Sequence, residues 1–422
     1  MLLFQERYLW LLRNIVRRIW VRVAGFALLA ILSLLTARLF SDFLSVDLTR
    51  RSGAEVVEDL LTILASSMLA VTTFSLSIAV SAFAAAASSA TPRATALLQQ
   101  DNTTQNVLAT FIGSFLFSLL GLIALSAGLY DESSRSVLFA FTVAVIGWVI
   151  VALIRWTNHL MSFGRMGDTL DRVEKVATDS LAARIHNPYL GGRPLVSSLP
   201  QGQQACATST GYVQHVDMQA LQIIAEKAGA EIYLCQLPGQ FVYPGKPLMV
   251  VTGAQLDSEA VTAAHSAVVL GTARTFEDDP RFGVIVMAEI ASRALSSGVN
   301  DAGTAIDVVG RQLRVLSRWP EPVDSSDLAP CFPAIHVPVL DVNDLVTDAF
   351  RPIARDGAAL IEVQCRLVKA LKALKAQAPD VFGEPVNAML CYILDRMRTA
   401  GVAAADMDEV TRLVGPIQRI EQ

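Results

Sequence analysis

The chain has 422 residues, of which 53% are hydrophobic and 17% charged, with 34 Lys and Arg against 39 Asp and Glu and a formal net charge of −5. Such a composition is too apolar for a wholly water-soluble body of this length, and it carries no basic footprint for a nucleic acid. The charges sit mainly outside long apolar runs, so the chain divides into a lipid-embedded part and a globular part.

At the start of the chain Tyr8, Leu11, Leu12, Ile15 and Ile19 share one helical face, with Arg13, Arg17 and Arg18 largely off it. This fits either a basic amphipathic segment in the headgroup region or an extension of the first span. Residues 60–92 and 102–130 hold no charged side chain. Each run exceeds the roughly 20 apolar residues that cross a hydrocarbon layer about 30 Å thick. Four spans are predicted, at about 20–40, 60–86, 105–129 and 137–154. The first keeps Arg22 and Arg38 near its ends, where their stems carry the charge toward the headgroups. The run past Ala37 lacks a small-residue cleavage site, so this span is expected to be retained.

The basic residues set the expected orientation. Arg7, Arg13, Arg17 and Arg18 precede the first span, and Arg155, Arg165, Arg172 and Lys175 follow the fourth. The loop over 41–59 is net acidic. Both termini are therefore expected in the cytoplasm. Cys206, Cys235, Cys331, Cys365 and Cys391 all follow the apolar half and show no C-x-x-C spacing, as reduced thiols in a reducing compartment would.

In the second span Ser66, Ala70, Thr73, Ser77, Ser81, Ala84 and Ser88 recur at spacings of three and four, which places them on one helical face. The hydroxyl-bearing members Ser66, Thr73, Ser77 and Ser81 are candidates to line a pore, because hydroxyls replace part of an ion's hydration shell. Close helix packing is the other reading of the same stripe. Ser114, Ser118 and Gly121 form a similar face in the third span, and two facing stripes of small residues would make a tight helical hairpin. No titratable residue lies in the middle of either span, which favours a passive route over a charge-coupled pump. Between them Pro92 ends or bends the helix, and Arg93, Asp101 and Gln105 form the expected cytoplasmic mouth, either selecting ions or fastening the hairpin.

Beyond Lys175, Pro188, Gly191, Gly192, Pro194 and Pro200 mark a linker. Alternating runs at 212–215, 231–236 and 248–252 surround a short helix predicted over 217–228, giving a small β-rich module. Its glycine and valine spacing is similar to that of lipoyl-type barrels, but no lysine stands where a prosthetic group would attach, so no cofactor is expected. The densest polar cluster follows. Asp279 before Pro280 is a helix start, and Asn300 or Asp301 starts the next helix. Arg274, Asp278, Asp279, Asn300 and Asp301 are read either as caps and turn residues or as a set converging on a cation or polar ligand. The histidines are scattered, and no catalytic, phosphate-loop or zinc motif is present, so neither an enzyme nor a metal site is expected. A Pro-rich linker over 319–338 leads to a helical end, where Pro352 kinks or starts a helix. There Leu367, Val368, Leu371 and Leu374 oppose Lys369, Lys372 and Lys375, a row read as a solvated surface or a contact with anionic lipid.

A set of landmarks resembles a bacterial family of predicted membrane proteins, domain of unknown function 2254. They are Pro92-Arg93 with Asp101, Gln105, Leu108, Phe111 and Phe115; Gly211-Tyr212-Val213; Arg274-Thr275, Asp279 and Phe282-Gly283; Ala294-Leu295-Ser296, Gly298, Asn300-Asp301 and Thr304-Ala305; and Ala349-Phe350 with Ile353. Where that family shows glutamine and two prolines in its central motif, this chain has Asp278, Ser297 and Ala302. The resemblance implies a multi-pass inner-membrane protein with a cytoplasmic domain and supplies no activity.

The expected architecture is an α-helical membrane domain of about four spans with N and C termini cytoplasmic, plus an α+β cytoplasmic domain with a small β-rich module. Its expected parts are a transmembrane domain at about 1–160, a helical linker at about 161–200, the β-rich module at about 201–260 and a mainly helical domain at about 261–422. The expected function is a homo-oligomeric ion channel or passive transporter, gated or assembled by the cytoplasmic domain. The alternative is a membrane-anchored sensor or scaffold whose cytoplasmic domain binds a ligand or protein.

Overall fold

The computed structural model describes residues 19–40, 54–99, 101–130, 132–161, 164–196, 198–319 and 330–416. The amphipathic face ahead of Ile19, most of the acidic loop and the centre of the Pro-rich linker lie outside the described residues. The chain forms two compact units, Met1–Thr169 and Leu170–Gln422.

The first unit is helical, with α1 (Ile19–Phe40), α2 (Ala54–Ser89), α3 (Pro92–Gln99), α4 (Asn102–Ser126) and α5 (Glu132–Leu160). Helix α2 stops ahead of Pro92, which lacks the amide that would continue the ladder. Thr91 then starts α3 by accepting the Ala94 amide at 3.3 Å. Asp101 starts α4 in the same way, accepting the Thr104 amide at 2.7 Å. Three of these helices, over Val56–Ala87, Asn102–Ser126 and Arg135–Leu160, are long and apolar enough to cross a membrane, and α1 adds a shorter apolar stretch over Trp20–Ser33.

Helix α4 lies at the centre, with 56% of its apolar window buried against 22% for α2 and 28% for α5. Its small residues are the reason. A side chain on Gly113 would fall 2.4 Å from Phe26, and one on Gly121 would fall 3.1 Å from Leu61. Large side chains of α1 and α2 thus seat on the bare face of α4, and Leu61, Phe111, Phe117, Leu138 and Trp156 fill the core. Phe74, Trp148 and Ile154 remain exposed on the outside of this bundle, a surface suited to hydrocarbon rather than water.

The second unit carries α6 (Met166–His186) into a mixed α/β body. Its strands are β1 (Arg193–Pro194), β2 (Gln203–Cys206), β3 (Gly211–Val216), β4 (Ala230–Leu234), β5 (Phe241–Val242), β6 (Pro247–Gly253), β7 (Val268–Gly271) and β8 (Ile335–Val337). Five of them form a sheet in the order β1-β8-β4-β6-β2, and three form a sheet in the order β5-β3-β7. Helix α7 (Met218–Ala228), capped by Asp217, and α8 (Ser258–Ser266) join them. Ile232, Leu234, Met249, Val251, Ile335 and Val337 are buried between the layers, each contributing about 1.5–3 kcal/mol through removal from water.

The β-rich part is larger than the expected 201–260. Strand β8 lies within the stretch read as a Pro-rich linker and pairs in parallel with both β4 and β1. Parallel pairing takes a long crossover, so local alternation in a three-residue strand does not announce it.

The helical layer contains α9 (Pro280–Ala294), α10 (Ala302–Leu316), α11 (Val342–Asp356), α12 (Ile361–Gln377), α13 (Pro379–Thr399) and α14 (Ala404–Val414). Pro352 sits inside α11. The buried Arg311 on α10 reaches Glu174 on α6 at 2.8 Å, and Arg314 reaches the same carboxylate at 2.6 Å. Hydrogen bonding to Arg314 holds the Glu174 carboxyl below its ordinary range despite burial.

Candidate functional site

Ser66, Ala70, Thr73, Ser77, Ser81 and Ala84 are all exposed on α2, while Val57, Leu61, Leu64, Met68, Ser75 and Ala79 on the opposite face are buried in the bundle. The expected hairpin of two facing small-residue stripes is therefore corrected. The α4 stripe of Ser114, Ser118 and Gly121 faces inward, whereas the α2 stripe faces away from its own bundle. Size decides this, because small residues on one helix admit large knobs from the next, and two bare faces would leave voids. Ser66 Oγ donates to the Thr62 carbonyl at 2.9 Å and Thr73 Oγ1 to Leu69 at 3.0 Å. Bulky Ile63 and Phe74 edge the stripe on one side, and Leu69, Leu76 and Val80 on the other.

At the junction of α3 and α4, Asp101 is buried and does more than cap. Its carboxylate also accepts the Thr104 hydroxyl at 2.7 Å and meets His159 Nε2 on α5 at 3.0 Å. Arg93 is exposed on α3, and Gln105 is half-buried on the first turn of α4.

In the second unit the polar cluster splits in two. Arg274 holds Asp279 through two nitrogens, Nε at 2.7 Å and Nη2 at 3.0 Å, and the same carboxylate accepts the Arg281 amide at the start of α9. Arg281 extends to Asp348 at 2.7 Å and to Asp344, fastening α9 to α11. Asn300 and Asp301 stand apart, with no hydrogen bond or ion pair to those residues among the described residues. Asn300 adopts a positive φ of 53° in the turn, and Asp301 caps α10 through Thr304. Five expected cluster members thus resolve into one paired loop and one helix start.

Neither sequence motif pointed to the cavity beside that loop. It encloses about 340 Å³ and is lined by Ser180 and Arg184 on α6 and Asn187 just after it, by the β3–α7 junction with His215 and Asp217, and by Glu277 and Asp278. Arg184 is only 4% exposed and Ser180 only 7%. Arg184 Nη2 lies 3.5 Å from the Asp278 carbonyl, the outer limit of a hydrogen bond. Burial pulls the Arg184 guanidinium below its ordinary value, opposed by Asp278 and Asp279. The only sequence trace was a polar and basic end to an otherwise amphipathic helix, a pattern shared by many helix C-termini.

Comparison with known proteins bears on this geometry. The family described as Predicted membrane protein (DUF2254) matches residues 16–373. The chain belongs to that family. Uncharacterized proteins of Mycobacterium bovis and Mycobacterium tuberculosis are each 28% identical over 234 residues, covering 50% of this chain and 42% of the relative. An uncharacterized protein from a second M. tuberculosis strain is 30% identical over 237 residues with the same coverage. The chain thus spans less than half the length of these curated relatives. No solved structure matches.

In this DUF2254 protein the landmarks lie where chain direction or contact is set. Pro92 opens α3, Asp101 and Asp279 start α4 and α9, and a side chain on Gly211 would strike the Gly271 carbonyl at 2.6 Å. Asp278 accepts from His215 Nδ1 at 2.5 Å. That hydrogen bond, reduced by partial burial and aided by the charges of Asp278 and Asp217, raises the His215 pKa. Stabilisation from this pair is therefore full below the ordinary histidine value and is lost as pH rises through the raised folded value. Asp278→Asn, which removes the charge at nearly constant shape, is expected to lower the His215 midpoint in an NMR titration of the full chain. An unchanged midpoint would show that Asp278 does not set it.

Proposed function

We propose that the protein is a homo-oligomeric ion channel or passive transporter of a bacterial inner membrane, in which α2 from several copies surrounds the pathway and the soluble unit assembles or gates it. On this reading α1 completes a set of four spans, and both termini and the soluble unit lie in the cytoplasm, as the arginine distribution favours. The observation that carries it is the outward direction of Ser66, Thr73, Ser77 and Ser81. A hydroxyl stripe turned toward lipid gains nothing there, whereas around a shared axis it faces water and permeant ions while the flanking Leu69, Leu76 and Phe74 pack against neighbouring copies. Back-bonding of Ser66 and Thr73 to their own helix leaves their oxygen lone pairs available to an ion.

Ser77 stands at the centre of the stripe, so Ser77→Leu is expected to reduce ion flux from reconstituted vesicles by about tenfold or more while leaving folding intact, since the side chain is exposed and fills no space within its own bundle. Wild-type vesicles that pass no ions would remove the proposal. The cavity at Arg184 favours a second reading, a membrane-anchored sensor whose soluble unit binds a small ligand, with the spans serving as anchor.

A further inference from the structure

Ser180 and Arg184 lie one turn apart on the same face of α6, and both line the 340 Å³ cavity. Ser180 Oγ and Arg184 Nη1 are buried with no hydrogen-bond partner among the described residues. More than nine-tenths of buried polar groups are satisfied in folded proteins, so two adjacent unsatisfied donors on one wall call for an acceptor that enters from outside the chain. Both are donors toward an oxygen, and a guanidinium with a free edge suits a carboxylate or phosphate.

The remaining charges narrow the class. Arg274 is satisfied by Asp279, and His215 by Asp278. Asp217 caps α7 through the Ala220 amide. Among the residues lining the cavity, the cation Arg184 and the carboxylate Glu277 enter no ion pair and cap no helix among the described residues. A polyanion would meet Glu277, Asp278 and Asp217 at close quarters and be repelled. A ligand carrying one negative and one positive charge satisfies both ends. Leu190, Met218 and Phe332 supply apolar cover, and the volume falls in the usual small-molecule range of about 300–1,000 Å³.

We propose that this cavity binds a free α-amino acid, its carboxylate received by Arg184 and Ser180 and its ammonium group held toward Glu277 and Asp278. The site deepens the ligand-binding reading of the soluble unit and does not depend on conduction. The lowered affinity of the buried guanidinium for its proton agrees with a site that gains from an arriving anion.

Titration calorimetry on the full chain in detergent tests it, with a panel of L-amino acids as probes and acetate, choline and inorganic phosphate as controls. At least one amino acid is expected to bind, with acetate and choline each weaker by about tenfold or more, because each satisfies one end only. Arg184→Met is expected to weaken that binding by about 10- to 100-fold and Ser180→Ala by less, as the loss of a charged and of a neutral hydrogen bond respectively. Should Arg184→Met fail to fold, Arg184→Lys keeps the charge and loses the second nitrogen, and a weakening of about tenfold is expected. Phosphate binding more tightly than every amino acid overturns the class while leaving a ligand-binding unit. Binding of no probe overturns both, and the donors are then water sites. Amino-acid binding unchanged in Ser180→Ala and in both Arg184 variants overturns the location.

Discussion

Asp279→Ala is expected to lower the stability of the second unit by about 3–5 kcal/mol, the cost of removing one partner from a buried ion pair. Asp279 is 2% exposed and joins four features of the fold: the two-pronged bond from Arg274, the Arg281 amide at the start of α9, the stacking of Arg274 over Phe282 at 5.2 Å, and the approach of Gly239. Alanine leaves the Arg274 guanidinium, itself only 20% exposed, without its anion and opens the first turn of α9. Gly239 reinforces the point, since at φ 94° a side chain there would fall 2.2 Å from the carboxylate, so the chain has closed its backbone directly over this group. A loss of this size is a large fraction of the roughly 5–15 kcal/mol that holds a domain together, and it shifts a melting point by about 10 °C. Thermal unfolding of the purified full chain, read by protease susceptibility of the second unit, measures it. Arg274→Met in the same background should restore part of the loss, because it removes the stranded charge. A single Asp279→Ala variant that melts with the wild type would show that the pair contributes nothing net.

The residues that could be placed from the sequence were those whose physics is local. Asp279 announces a helix start by residue type and by Pro280, and Asn300 or Asp301 announces the next; the structure finds Asp279 and Asp301 each accepting an amide of the first turn. Uncharged runs announce helices long enough for a bilayer for the same reason. Periodicity identified the α2 stripe but not its direction, because a period gives a face and only the neighbouring helix decides whether that face is inside. The answer depended on Phe26 and Leu61 filling the bare surface of α4. The Arg184 cavity was illegible for a related reason. Its walls come from α6, β3, the loop before α9 and Phe332, separated by more than half of the second unit in sequence. An arginine near a helix end reads as an ordinary surface charge until those walls close over it.

Gly283 tests the spacing on which that cavity depends. A side chain there would stand 2.4 Å from Ala177 Cβ and 2.7 Å from its Cα, so α9 and α6 touch almost backbone to backbone. By intrinsic propensity alone, replacing a helical glycine with alanine gains about 1 kcal/mol. At Gly283 the contact reverses the sign, because neither helix backbone has a rotamer to move and the two must separate; overpacking of this kind costs about 1–3 kcal/mol. Gly283→Leu, with three further carbons and no space, is expected to cost about 3 kcal/mol or more. Gly383 on α13 supplies the internal comparison, as an added carbon meets nothing within 4 Å there, and Gly383→Ala is expected to be neutral or to stabilise by up to about 1 kcal/mol. The consequence reaches the cavity, since Ala177 is one turn before Ser180 and Gly283 lies on the helix that follows Asp278. Forcing α6 from α9 therefore moves the donors of one wall away from the carboxylates of the other. Gly283→Ala should lose both stability and amino-acid binding, while Gly383→Ala loses neither. Opposite signs for one chemical change at two helical glycines is the result that contact geometry requires, and equal signs would leave propensity as the sole determinant.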